Sequence, residues 1–352
     1  MPREQADRDA LEQFVRSVLF NLLEIRNIPE EWIAPWIARA FEIRNPIQIF
    51  NEMSGLLANR ERLARIEDAK TPWVPGHFYS PIVSHKEVKL EWPRLSRDRV
   101  PAAVDLRIDQ QIILLRQLVN FFNSIPFTET KSNRFRYYYQ NPSYGFGDAL
   151  IYWSMLNFFR PKHIVEVGSG FSSALALDTI DLLALPTIAT FIDPYPEVAR
   201  AATAPLSAPH TILPIKVQSI DLALVEDLEK DDILFIDSSH VVKTGSDVHF
   251  EITEMLPRLR PGVIVHFHDV TYPFEYGAPW VTIDNYSWNE LYFLHTFLMY
   301  NSEFEIIFFN DLIGRDLPQN VKTLAPAQSH KFQLSRGAGL WLRRASRRCP
   351  LD

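Results

Sequence analysis

Residues 163–173 read HIVEVGSGFSS. An apolar five-residue run ends at two glycines one residue apart, and a helix-forming stretch follows. Glycine at 168 and 170 lets the main chain turn tightly and lets a ligand approach it without a side-chain clash. A buried strand running through glycines into a helix is the entry unit of an α/β fold. The same grammar recurs downstream. "TIATFIDP", "TILPIKVQS", "DILFIDSSH" and "RPGVIVHFHDV" read as further strands, and "SDVHFEITEMLPRL" reads as a helix between two of them. "WNELYFLHTFLMY" is helical, and "FEIIFFNDL" and "GLWLRRA" close the series as strands. Short β-branched runs between helices predict a mostly parallel, doubly wound, Rossmann-like sheet covered on both faces.

Ligands in such sheets sit beyond the carboxyl ends of the strands, near the point where strand order reverses. Gly168 to Ser172, Asp193, Asp237 with His240, and His268 with Asp269 all fall at such ends. Glu166 is the most telling of the neighbours. A carboxylate on an otherwise buried strand is costly unless a cation or hydrogen-bond donor meets it, and it repels a pyrophosphate. The dinucleotide fingerprint also wants Gly or Ala as its third residue, where this chain has Ser173. Asp193 stands about 25 residues past the glycines, the spacing at which an acid accepts from ribose hydroxyls; before Pro194 it is equally a turn-forming Asp.

Upstream, the chain changes texture twice. Leu11, Phe14, Val15, Val18, Leu19, Leu22 and Leu23 repeat at helical spacing, as do Trp32, Ile33, Trp36, Ile37, Ala40 and Phe41. Residues 1–70 are therefore expected to be a helical extension that packs, forms a lid or pairs two copies of the chain. Residues 71–104 carry Pro72, Pro75, Pro81, Pro93 and Pro101 and are expected to be a connector without regular helix. Residues 105–352 are then the Rossmann-like domain.

The gross numbers bound the class. A net charge of −7 over 352 residues argues against a general nucleic-acid or anionic-membrane binder, both of which need a basic surface. Arg336, Arg343, Arg344, Arg347 and Arg348 form the one basic cluster and read as a solvated tail. Cys349, the single cysteine, rules out an intrachain disulfide and suits a reducing compartment. "MPREQADRDALEQF" lacks the basic-then-apolar layout of a signal peptide, and no apolar run reaches the length of a membrane span. A cytoplasmic protein is expected.

Four ordered motifs, "EVGSGFSS", "FIDPYP", "DILFIDSSH" and "PGVIVHFHD", resemble those of class I S-adenosylmethionine-dependent methyltransferases, and "GHFYSPI" and "YGFGDALIYWSMLNFFRPKHIVEVGSG" are similar to the branch that modifies natural products and sugars. The likeness covers Tyr144 to about Gly314. It implies S-adenosylmethionine as cofactor, with Glu166, Gly168 and Gly170 lining its methionine and ribose portion. Asp193 would hold the ribose hydroxyls, Gln218 and Ser219 would sit beside the adenine, and Tyr144 and Asp148 would close over the methionine tail. Asp237 would lie under the sulfonium and the acceptor.

A hydroxyl acceptor needs a base, or a divalent cation that lowers its pKa. His240 suits the base because its reference pKa lies near neutrality, with Asp237 as orienting group or metal ligand. Asp237 and Asp269 are candidates to share Mg²⁺ or another divalent metal, with His268 completing a mixed site. Metal-dependent O-methyltransferases of similar fold carry Asp-Asn after the fifth strand, whereas Val270 follows Asp269 here. His266 reads as a satisfied core residue. Trp280, Tyr286, Trp288 and Tyr292 read either as an acceptor pocket, suiting an aromatic or glycosylated small molecule, or as packing. Three other readings stand beside this one: an NAD-dependent oxidoreductase, a metal-dependent hydrolase or oxygenase, and a non-catalytic scaffold.

Overall fold

The computed structural model describes residues 73–95, 100–203 and 208–346. The chain divides into two compact units, Met1–Pro81 and Ile82–Asp352. The helices expected over 1–70 lie outside the described residues. In the first unit Trp73, His77, Phe78 and Tyr79 pack on one another around tight turns, with the Trp73 and His77 rings 4.4 Å apart and nearly parallel.

The second unit opens inside the predicted connector with a helix, α1, His85–Leu95, which corrects the expectation of irregular chain there. Ser84 explains it: its hydroxyl accepts from the Glu87 N–H, so Ser-x-x-Glu starts a helix. Pro93 falls only in the last turn. Helix α2, Ile108–Phe122, and helix α3, Phe146–Phe159, follow. Eleven consecutive residues of α3, from Phe146 to Leu156, are buried, as expected for a helix apolar on all sides. Arg160 ends α3 in the left-handed conformation and Pro161 prevents its continuation.

The sheet then assembles as β1, His163–Val167; α4, Phe171–Leu183; β2, Ile188–Ile192; α5, Glu197–Thr203; and β3, His210–Leu213. β4, Ile233–Ile236, and β5, Ile264–Phe267, complete the parallel part. Helix α6, Glu290–Leu298, leads to β6, Phe304–Phe309. Helices α7, Asn310–Asp316, α8, Pro318–Leu324, and α9, Pro326–Leu334, precede β7, Leu340–Arg344. The order across the sheet is β3-β2-β1-β4-β5-β7-β6, with β7 antiparallel to both neighbours. All seven expected strands are present, in the expected doubly wound arrangement. Strand order reverses between β1 and β4, which pair in parallel through Ile164↔Ile233 and Val167↔Ile236.

Two further expectations need correction. The third strand ends at Leu213 rather than running to Ser219: Pro214 has no N–H for the ladder, and Val217–Ser219 is a single 3₁₀ turn. The helix expected over 246–259 is broken into Asp247–Phe250, a π turn over Glu251–Met255 and a 3₁₀ turn over Leu256–Arg258. Pro257 cannot donate within a helix, and the wide turn closes with the Leu256 N–H donating to the Glu251 carbonyl.

Alternation along the strands builds two cores. Ile164, Phe191, Phe235 and Trp341 face α2, α3 and α4; Val165, Val167, Ile236, Phe267 and Leu342 face the broken helix and α6. Glu166 falls on the first of these faces, wholly buried. Among the described residues no helix is long and apolar enough to cross a membrane.

Candidate active site

Three main-chain positions shape the crest of the sheet. Gly168 (φ +74°) follows β1, His240 (φ +58°) lies beyond β4, and Asp269 (φ +55°) lies beyond β5. A Cβ on Gly168 would stand 1.7 Å from the Asp237 carbonyl oxygen, so only glycine lets these two strand ends touch. The Gly168 N–H donates to Ile192 and the Asp237 N–H to Val167, which pins the loops to the ladder.

On the β1 side, Glu166 accepts from the Ser172 hydroxyl at 2.5 Å and the Ser173 hydroxyl at 2.8 Å, both through Oε1. Its Oε2 is buried and meets no donor. Burial pushes the carboxyl up, the two serines only partly oppose it, and the value rises to about 8. The serine hydroxyls at the start of α4 thus point at a carboxylate and not outward at a phosphate. Asp193 takes the Ser169 N–H and hydroxyl, each at 3.1 Å, on Oδ2, and the Tyr195 N–H at 2.7 Å on Oδ1. It is therefore the turn-forming residue its neighbour Pro194 suggests. It is also only half-buried, and a carboxylate offers about four acceptor sites. Gln218 donates to the Gly245 carbonyl at 2.9 Å, which ties it to the loop after β4; Ser219 is exposed.

Tyr144 and Asp148 lie deeper than a lid. Asp148 accepts from the Ala338 N–H and the Asn310 amide; burial, only partly offset by His268, raises it to about 6. The Tyr144 ring packs 5.1 Å from that of His268, and its hydroxyl is buried without a partner.

On the β4–β5 side, Asp237, His240 and Asp269 converge, with one donor atom of each within 4.8 Å of the others. His240 Nε2 is 3.4 Å from Asp237 Oδ1 and 3.4 Å from Asp269 Oδ2. Its Nδ1 is 2.7 Å from Glu290 Oε2. Burial works against an imidazolium here, yet the hydrogen bonds its ring donates to Asp237 and Glu290 outweigh it and raise His240 to about 11. Burial alone would raise Asp237; the His268 and His240 charges reverse that and hold it below the ordinary range. The His240 side chain is 8 % exposed, Asp237 30 % and Asp269 22 %, so the cluster opens to solvent through its carboxylates.

His268, expected to complete this cluster, stands beside it. Its Nε2 is 3.6 Å from Asp269 Oδ1, and its Nδ1 is buried without a partner. Burial opposes its charge, but Asp269, Asp237 and Asp148 raise it to about 9. His266 is a core residue, packed between Phe235 at 4.1 Å and Trp341 at 4.2 Å, but not the satisfied one expected, since both its ring nitrogens are buried without a partner. Burial pushes it well below its ordinary value.

Sequence reasoning missed Glu290 and Glu251. Glu251, on the π turn, accepts from the Ser238 hydroxyl at 3.0 Å, and both acids are raised by burial first of all. Glu290 meets His240 across 50 residues, a separation at which no local pattern signals a pair. Of the aromatic residues, Trp288 lies 4.4 Å from the His240 ring and Tyr286 stacks on Trp288 at 4.3 Å. Tyr292 instead donates to Glu275 at 2.6 Å and packs on Tyr276.

Residues 165–270 match a family described as "Methyltransferase domain". An uncharacterized protein of Archaeoglobus fulgidus is 32 % identical over 165 residues, which span 45 % of this chain and 75 % of that protein; the two belong to one family. Among solved structures, the plantazolicin methyltransferase BpumL in complex with a triazolic desmethylPZN analogue and SAH is 12 % identical, with 69 % of this chain and 100 % of that one covered at a TM-score of 0.37. The SAH-bound Podospora anserina methyltransferase PaMTH1 is 14 % identical, with 77 % and 100 % covered at a TM-score of 0.33.

Proposed function

We propose that this chain, which belongs to the class I S-adenosylmethionine-dependent methyltransferases, methylates a hydroxyl oxygen on a small-molecule acceptor. The observation that carries this reading is the backbone contact of Gly168 with Asp237. It brings the end of β1, with the buried and half-satisfied Glu166 carboxyl, against the strand end that carries the cluster of Asp237, His240 and Asp269.

The residues on the β1 side fit the cofactor. Glu166 has a buried oxygen awaiting a donor, and a ligand ammonium there restores its charged form. Gly168 and Gly170 offer bare main chain, and Asp193 keeps acceptor capacity for ribose hydroxyls. Gln218 and Ser219 border the adenine end. Tyr144 and Asp148 support the floor beneath His268. S-adenosylmethionine, when bound, supplies a methyl group on positive sulfur, activated for in-line displacement.

What remains for the protein is to hold the acceptor oxygen close and take its proton, and alignment alone supplies much of the acceleration. His240 is the candidate base, with Asp237 orienting it. In the structure that ring sits among three carboxylates that favour its acid form, so it accepts a proton only once its own has been displaced. Asp237 and Asp269 are the residues that would hold a divalent cation, which would supply the positive charge that releases this proton and lowers the acceptor pKa. Trp288 and Tyr286 beside His240 suit a ring-bearing acceptor, aromatic or glycosylated, of the natural-product kind. A dinucleotide is disfavoured, because Ser172 and Ser173 serve Glu166 and a carboxylate stands where a pyrophosphate would lie.

Titration calorimetry of the full chain with S-adenosylmethionine tests the reading. Binding is expected, weakened about 10- to 100-fold by Asp193→Ala, which removes a charge-assisted hydrogen-bond acceptor. No binding by the wild-type protein would overturn it and leave a metal-dependent hydrolase or oxygenase at the same cluster as the next reading.

A further inference from the structure

The segment after β5 carries a second arrangement of charge and rings that proton transfer does not use. From Pro261 to Gly314 the chain has no Lys or Arg, while Asp269, Glu275, Asp284 and Glu290 fall in the part that borders His240. Glu275 is the most firmly built of these acids outside the cluster. It is half-buried, and its Oε1 accepts from the Tyr292 hydroxyl at 2.6 Å and from the Tyr276 N–H at 3.1 Å. The Thr271 hydroxyl donates to the Glu275 carbonyl at 2.6 Å, which fixes the backbone beneath it. The carboxylate pairs with no cation among the described residues, and neither of its hydrogen bonds engages Oε2.

Aromatic rings adjoin this acid. Tyr276, Trp280 and Trp288 lie 5.6–6.3 Å apart and are inclined at 59–66° to one another, and Tyr292 meets Tyr276 edge-on at 5.7 Å. Rings inclined in this way, unlike a parallel stack, leave π faces open to a third group, and a π face is negative. Trp288 also packs 4.4 Å from the His240 ring, so one indole links the ring set to the candidate base. A carboxylate beside such faces, in a stretch without basic side chains, sets up a negative potential that a positive ligand neutralises. A bare dication is the wrong occupant, because Mg²⁺ needs several oxygen ligands and rings supply none. An organic ammonium is the right one, since its carbon groups lie against the rings and its charge faces the acid.

We infer that the acceptor is a cationic, ring-bearing molecule whose ammonium group is held by Glu275 at the wall formed by Tyr276, Trp280, Trp288 and Tyr292, while its hydroxyl is presented to His240. The inference rests on the methyl-transfer reading for the hydroxyl, and on Glu275 and its rings alone for the ammonium. Glu275 and Trp280 are then specificity-determining residues that take no part in proton transfer. An amino sugar or another cyclic amine has the required chemistry. A carboxylated or phosphorylated acceptor is repelled by Asp269, Glu275, Asp284 and Glu290.

The test uses the full chain, freed of metal by a chelator and without S-adenosylmethionine. The probes are choline, its neutral isostere 3,3-dimethylbutan-1-ol, benzyltrimethylammonium and benzoate, with affinities read from tryptophan fluorescence and ligand-observed NMR. Wild-type protein is expected to bind choline at least about 10-fold more tightly than the isostere, benzyltrimethylammonium more tightly than choline, and benzoate most weakly. Glu275→Gln, which still accepts from Tyr292, lowers choline affinity about 10-fold and leaves the isostere unchanged. Trp280→Leu lowers both cations about 3- to 10-fold. Equal affinity for choline and its isostere, absence of cation binding, or tighter binding of benzoate would overturn the inference. So would a cation preference that survives Glu275→Gln and is lost in Asp269→Ala, since the charge would then be read at the other cluster. The wild-type comparison decides even if a variant fails to fold. A chain that shows this preference but never binds S-adenosylmethionine would overturn the methyl-transfer reading and keep the ammonium site; binding of S-adenosylmethionine without the preference would do the reverse.

Discussion

Replacing Glu166 with Gln separates the cost of burying a carboxylate from its use. Wild-type Glu166 titrates near 4.5 when solvated and at about 8 in the fold, because burial outweighs the two serine hydroxyls. A carboxyl raised in this way favours folding below its unfolded value, and that advantage is lost as pH rises through the folded value. Over the interval from pH 5 to pH 8 the wild-type chain therefore loses about 3–4 kcal/mol that Glu166→Gln does not lose, at about 1.4 kcal/mol for each full pH unit of differential protonation. Gln keeps the shape of the protonated acid and its Oε1 still accepts from Ser172 and Ser173. Urea denaturation of both proteins at pH 5 and pH 8 reads the difference directly, since other titrating groups are common to the two. The stability gap between variant and wild type should widen by that amount in favour of the variant at pH 8. Saturating S-adenosylmethionine should narrow it, by supplying the missing cation to the wild type only. A gap that does not change with pH would refute the assignment of Glu166 as a buried acid awaiting a positive ligand.

Gly168→Ala forces a methyl group into the Asp237 carbonyl at a positive φ and should cost more than about 3 kcal/mol while abolishing cofactor binding; a urea midpoint close to wild type would show that β1 and β4 can separate. Asp178→Ala removes the buried carboxylate 2.6 Å from the Arg136 guanidinium, which keeps Asp181 at 2.9 Å. It also removes the acceptor of the Arg136 and Tyr137 N–H groups, for an expected loss of about 2–4 kcal/mol from the unsatisfied donors in the same assay. His266→Leu should be neutral or stabilising by about 1 kcal/mol, because both ring nitrogens are buried without partners and an apolar side chain leaves none to satisfy; destabilisation beyond about 2 kcal/mol would give the ring a polar role.

Much of this was legible in advance because it is local. The five-residue strand, the glycines and the helix that follows are neighbours in sequence, and short β-branched runs between helical stretches announced every strand of the sheet. The strand ends bring Asp237, His240 and Asp269 together through topology alone, once parallel order is granted. Prediction failed where the decisive partner was distant or where one residue overrode a periodic pattern. Pro257 split a helix whose apolar spacing is otherwise regular, and Pro214 shortened β3. Ser84 started a helix among prolines that seemed to forbid one. Glu290 was invisible as a partner of His240, and the choice of His240 over His268 as the nitrogen facing both carboxylates turns on the left-handed backbone after β4, which no spacing rule encodes.

The contact between Gly168 and Asp237 also bears on how such a protein can diversify. A partition made of two main chains has no side chain to vary, and it cannot thicken without unpairing the two central strands. On the methyl-transfer reading proposed above, the spacing between the Glu166 side and the Asp237 side is set by the hydrogen-bond ladder itself. Change in acceptor must come from elsewhere, and the segment from Thr271 to Asn289 borders the cluster, brings Tyr286 and Trp288 to it and belongs to no strand. Grafting or randomising that segment, with the partition left intact, is the natural route to new acceptors on this scaffold.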